Sequence, residues 1–231
     1  MSAPGPRGAR PWLILAGPLV AWFAFVAIGA GALRAAGVLD DGDVALTNLP
    51  AALLLLAGYA VFLGAILLAA RALGAPRDVL AVRRVPLLRG AALAGAGVLA
   101  GLGAAAVLEP IFHGQASQPI VAGDVTGVGT ALALAISIAS LAGAAPLCEE
   151  LYFRGILYGR LDARFGTASA IVGSAGVFGL AHFEPNAFPA LFALGLILGV
   201  LRWRSSSVWP GVAMHAANNV LATAALLLAA G

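Results

Sequence analysis

Residues 131–154 read ALALAISIASLAGAAPLCEELYFR. The run from Ala131 to Leu147 holds no charged side chain, and then Glu149, Glu150 and Arg154 arrive within six positions. A run of about 20 apolar residues is the helix length that crosses about 30 Å of hydrocarbon, so the first part reads as a membrane span. The second part then sets two carboxylates and a guanidinium at membrane depth, where each costs about 2.5–3.5 kcal/mol on insertion scales. Such groups persist when they pair, line a cavity or do chemistry.

The apolar character extends outward from this stretch. Of 231 residues, 61% are hydrophobic and 10% are charged, against about 45–50% and about 25% in a soluble domain. Apolar runs recur at 12–32, 50–70, 90–109, 129–147, 167–184, 187–203 and 208–229. The expected fold class is therefore all-α: a polytopic membrane bundle of seven or eight transmembrane helices. The chain divides into a tail (1–11), a set of N-terminal spans and loops (12–128) and a C-terminal part (129–231) that holds the polar clusters. The basic start followed by an apolar run from Trp12 to Ala32 reads as an uncleaved first span.

The net charge of +3 is carried by arginine alone. Arg7, Arg10, Arg71, Arg77, Arg83, Arg84, Arg89, Arg154, Arg160, Arg164, Arg202 and Arg204 fall on one side of the alternating spans, and Arg34 alone falls on the other. That is a topological pattern, which puts the N-terminus in the cytoplasm, and not a nucleic-acid footprint. The opposite loops hold acids, and the segment 111–128 reads as an outer loop. Cys148 is the single cysteine, so it forms no internal disulfide and reads as a small buried hydrophobe. Abundant Ala, Gly and Arg with no Lys suggests a GC-rich bacterial genome, hence a bacterial plasma membrane.

Helical phase separates the two acids. Glu150 and Arg154 lie four apart and share a face, so they can pair. Glu149 is turned about 100° away and is left for another task. Pro146 begins a new helix or kinks a long one. Two further polar clusters stand in apolar surroundings: FGLAH at 178–182 and HAANN at 215–219. His215 and Asn219 share a helical face. Alone, His182 reads more often as a packing residue than as a ligand or base, and His215 with Asn219 reads equally as a structural hydrogen-bonding pair between helices. Together, a carboxylate and two imidazoles are the side chains that activate water, directly or through a metal, and an amide donates to an oxyanion. With a turn at Phe165-Gly166, Glu149 and His182 lie level on antiparallel helices, about 24 Å from that turn at 1.5 Å per residue. His215 lies about 14 Å above the turn at 205–207. The levels agree if the 158–165 hairpin projects by about 10 Å, which gives a site open to the cytoplasmic side and a 185–189 loop at membrane depth.

These residues resemble the CPBP intramembrane proteases, a family that includes the CAAX prenyl endopeptidases and the Abi or bacteriocin-processing proteins. Its motifs E-E-x-x-x-R, F-x-x-x-H and H-x-x-x-N stand here as Glu149–Arg154, Phe178–His182 and His215–Asn219. The resemblance covers about 145–225. It implies an intramembrane endopeptidase with an active-site cavity facing the cytosol and a catalytic core at 129–231. Glu149 would activate water, His182, His215 and Asn219 would complete the site, and Glu150, Arg154 and Phe178 would support it. Glu149, His182 and His215 are also the possible ligands of one zinc ion, while a mechanism without metal stays equally open. The partners implied are a peptide or protein substrate, a membrane-anchored one among them, and the lipid bilayer. The alternatives are a non-catalytic immunity or scaffold protein and a small proton-coupled transporter.

Overall fold

The computed structural model describes residues 10–39, 46–112 and 127–230. Most of the expected N-terminal tail and of the 111–128 loop lies outside these residues. Among them the secondary structure is helical throughout: α1 (Arg10–Ala35), α2 (Leu49–Leu73), a short α3 (Pro76–Val79), α4 (Leu87–Phe112), α5 (Val128–Phe165), α6 (Thr167–Leu180), α7 (Phe188–Ser205) and α8 (Trp209–Ala230). In α1 the span proper is Trp12–Ala35; it and α2, α4, α5 and α7 are the five described helices long and apolar enough to cross a membrane.

Two departures from the expected spans matter for the site. The 167–184 run forms a helix of 14 residues, about 21 Å long and too short for about 30 Å of hydrocarbon. The chain leaves it at Ala181 and turns through Phe183, whose φ of +55° is left-handed. The ring of Phe183 meets Phe23 edge-on at 5.2 Å, and Phe23 sits halfway along α1. The 181–187 loop therefore lies at mid-depth, where irregular backbone is tolerated only against protein or a cavity. Conversely, α5 runs 38 residues, about 57 Å, so its charged end YGRLDARF projects beyond the bundle.

Pro146 does not break α5. The helix widens to π geometry over Ser140–Ala144, returns to α geometry over Ala145–Glu149, and widens again over Glu150–Leu157. In the first wide turn Ala145 donates to the carbonyl of Ser140, and Pro146 has no N–H to give to Leu141. That carbonyl instead accepts from the Asn219 side chain at 2.8 Å. A proline in α5 thus ties that helix to α8.

Helix α5 is the axis of the fold. Phe62 and Ile66 of α2 pack on Cys148, Tyr152, Phe153 and Ile156 of α5. Helix α4 lies against α7 and α8, and α6 against α7. At the arginine-rich end, loops are stapled by side-chain donors. Arg202 Nε donates to the Arg154 carbonyl at 3.0 Å, Arg160 to Leu73 at 3.0 Å, Ser207 to Arg83 at 2.8 Å and Arg89 to Arg204 at 2.8 Å. Gly155 lets Leu80 approach: a Cβ there would stand 2.9 Å from the Leu80 carbonyl oxygen.

Candidate active site

The three polar clusters meet at the middle of α5. Glu150 and Arg154 are wholly buried and joined at 2.9 Å between Oε1 and Nη1. Arg154 Nη2 also donates to the carbonyl of Gly195 on α7 at 3.1 Å. Its guanidinium lies 4.6 Å from the centre of the Phe178 ring. The pair thus binds α5 to α6 and α7 and leaves Glu149 on another face.

His215 stands between the two carboxylates. Its Nε2 is 3.8 Å from Glu149 Oε2 and its Nδ1 is 3.5 Å from Glu150 Oε1. Neither spacing is a close hydrogen bond. Glu150 Oε2, Arg154 Nε and His215 Nδ1 are buried and have no hydrogen-bond partner within the described chain. Unsatisfied buried groups are expensive and few in folded proteins; three around one carboxylate mark a site that packing alone does not account for.

His182 approaches from α6. Its Nδ1 lies 2.8 Å from the carbonyl of Phe178. A carbonyl only accepts, so in the neutral ring Nδ1 carries the hydrogen and Nε2 keeps its lone pair. Phe178, fully buried, has its ring centre 4.8 Å from that of His182 and 5.7 Å from that of His215. The ring meets both imidazoles edge-on. Among the described residues no group of three or more His, Cys, Asp or Glu suited to a metal occurs, and Glu149, His182 and His215, expected as metal ligands, form none. Asn219 spends one N–H of its amide on Leu141 and keeps a second.

Sequence reasoning passed over Tyr59 and Gly211. The Tyr59 side chain, from α2, lines both cavities beside Glu149. A lone polar tip in an otherwise apolar span was the signal available. Gly211, one turn before His215, faces Glu150: a Cβ there would lie 2.5 Å from Oε2.

Two cavities flank the site. The larger, about 530 Å³, is lined from Gly101 to Glu109 on α4, Leu141 to Glu149 on α5, Ala187 to Leu194 at the start of α7, and His215 to Ala225 on α8. In this alternating bundle all four stretches lie on the side of Glu149 away from the arginines. On the arginine side the helices close. A Cβ on Gly97 would be 2.9 Å from both Leu201 and Met214, and one on Gly101 would be 3.1 Å from Met214. The lining of the larger cavity thus runs from Glu149 toward the ends of α4, α5 and α8 that carry no arginine. The smaller cavity, about 180 Å³, lies between α1, α2, α5 and the 181–183 turn. Tyr59, Glu149 and His182 line both.

A search of curated proteins and one of solved structures gave no match. Residues 129–221 match the model of a protein family described as type II CAAX prenyl endopeptidase Rce1-like. That segment contains the two carboxylates, both histidines, Asn219 and the Pro146 turn. Five apolar helices and this match together describe a membrane protein that over residues 129–221 is similar to the Rce1-like type II CAAX prenyl endopeptidases.

Proposed function

We propose that the protein is an intramembrane endopeptidase in which Glu149 activates a water molecule. The observation that carries this reading is that Glu149, alone among the acids of α5, opens onto both cavities while an imidazole stands 3.8 Å from its Oε2. The Tyr59 hydroxyl and His215 orient the carboxylate. His182 Nε2 accepts a hydrogen bond from the water and aims its oxygen. Glu149 takes the proton as the oxygen attacks the peptide carbonyl. The remaining N–H of Asn219 meets the oxyanion. As the C–N bond breaks, Glu149 returns the proton to the leaving amine. Glu150 and Arg154 hold the frame and touch no substrate.

The lack of a metal-suited group of three among the described residues supports a route that does not pass through a metal, and exhaustive chelation is expected to leave activity intact. With the arginines cytoplasmic, the larger cavity extends from Glu149 toward the opposite side of the membrane, the route we assign to the substrate. The test is cleavage of a quenched peptide library by purified protein, beside Glu149→Gln and His182→Ala. Loss of turnover in both variants with retained folding is the expected result. Full cleavage by both variants would overturn Glu149 and His182 as the catalytic groups, and no cleavage by the unaltered protein would favour a scaffold or immunity role.

A further inference from the structure

The smaller cavity has no part in the steps above, yet it shares its wall with them. It meets the larger cavity at Tyr59, Glu149 and His182. A peptide bond presented to water held by Glu149 and His182 therefore sits at a partition. The chain on one side of that bond runs through the larger cavity. A side chain on the other side faces the smaller one.

The chemistry of the smaller cavity is aromatic. Trp22 and Phe23 come from α1, Phe62 from α2, Phe153 from α5 and Phe183 from the mid-depth turn, with Leu19 and Ala181 beside them. The rings already engage one another: Trp22 lies 5.8 Å from Tyr59 and 5.9 Å from Phe62 between ring centres, and Phe23 meets Phe183 edge-on. A further ring entering this set extends favourable offset and edge-to-face contacts. The volume suits one ring, since an apolar cavity of about 150 Å³ holds a benzene molecule and this one measures about 180 Å³.

We infer that this recess is a specificity site that receives a large apolar side chain, best an aromatic one, of a residue flanking the scissile bond. The inference rests on the hydrolase reading for the position of that bond. It makes α1, which lies outside the family-matched segment, a determinant of which peptides are cut.

The test uses the full-length protein in liposomes and a peptide mixture varied at the flanking positions, with products sequenced by mass spectrometry. Phe, Tyr or Leu at one flanking position is expected to exceed Gly or Asp by roughly tenfold or more, the scale on which an apolar pocket discriminates. Leu19→Trp and Ala181→Leu, which fill the recess, are expected to abolish that preference. Val20→Trp, on the exposed face of α1, is expected to keep it. A second readout needs no turnover: a peptide with azidophenylalanine at that position is photolysed with Glu149→Gln, and the adducts are expected on Trp22, Phe62 or Phe183. Cleavage without flanking preference, a preference untouched by both filling variants, or adducts confined to the larger cavity overturns the recess and leaves the hydrolase standing. A lipid acyl chain as the true occupant would give that result. Adducts in the recess without any cleavage would sink the hydrolase and keep the recess as a peptide site. Neither cleavage nor adducts overturns both.

Discussion

The side-chain amide of Asn219 on α8 donates to the backbone carbonyl of Leu141 on α5, 2.8 Å away. The carbonyl is open to it because Pro146, five residues on, has no N–H for the π turn. Removing the donor leaves a half-buried acceptor without its partner, at a cost of about 1 kcal/mol, the low end for a lost buried partner. Asn219→Ala is therefore expected to lower the unfolding midpoint in detergent as well as activity. Pro146→Ala restores an N–H within reach of Leu141 and is expected to recover much of that stability in the double variant. Strict additivity of the two changes in thermal unfolding would show that the residues are not coupled in this way.

Breaking the buried pair should be worse than removing it. Arg154→Ala strands the wholly buried Glu150 and is expected to cost about 3–5 kcal/mol, the usual penalty for orphaning one partner of a buried ion pair. Glu150→Leu with Arg154→Met removes both charges at similar volume and should fold better than Arg154→Ala. It is still expected to be inactive, because His215 Nδ1 then has no carboxylate facing it. Expression and urea unfolding of the two variants, set beside their cleavage rates, decide the point. A double variant less stable than Arg154→Ala would contradict it.

Gly211→Ala is expected to lower activity by more than about tenfold, on the scale of one misplaced catalytic group, since its methyl would press on Glu150 Oε2 at 2.5 Å. Gly103→Ala in α4 meets nothing within 4 Å. It should be neutral or gain up to about 1 kcal/mol from helix propensity. Equal behaviour of the two variants in a melting and cleavage assay would dismiss the steric argument.

Access can be mapped without any substrate. Cys148 is 2% exposed and should stay silent to a membrane-impermeant maleimide. A cysteine introduced at Ala225, beside the larger cavity's mouth, is expected to label from outside intact cells. One at Arg84 is expected to label only after permeabilisation. The reverse pattern would place the arginine-rich end outside.

The chemistry was legible in the sequence because charge in an apolar setting is conspicuous: Glu149, Glu150, Arg154, His182, His215 and Asn219 announce themselves by cost alone. Helical phase also separated Glu149 from the Glu150–Arg154 pair, even though that stretch of α5 is a π helix. Tyr59 was not legible, because its place beside Glu149 in both cavities joins residues 90 positions apart and a tyrosine in a span carries no periodic signal. Nor was the close approach of α4 to Met214 that Gly97 and Gly101 allow. The short reach of α6 was hidden because the apolar run continues past Leu180, while the backbone turns at Phe183 with a left-handed φ that composition does not encode.

Phe178 touches His182, His215 and Arg154 with one ring. Both imidazoles therefore rest against one hydrocarbon ring, whose size substitution changes only in whole carbon atoms. A shorter side chain there would let the bases approach each other and free the arginine in the same step. Any change of chemistry at this site, including the arrival of a bound cation, has that benzene ring as its first obstacle.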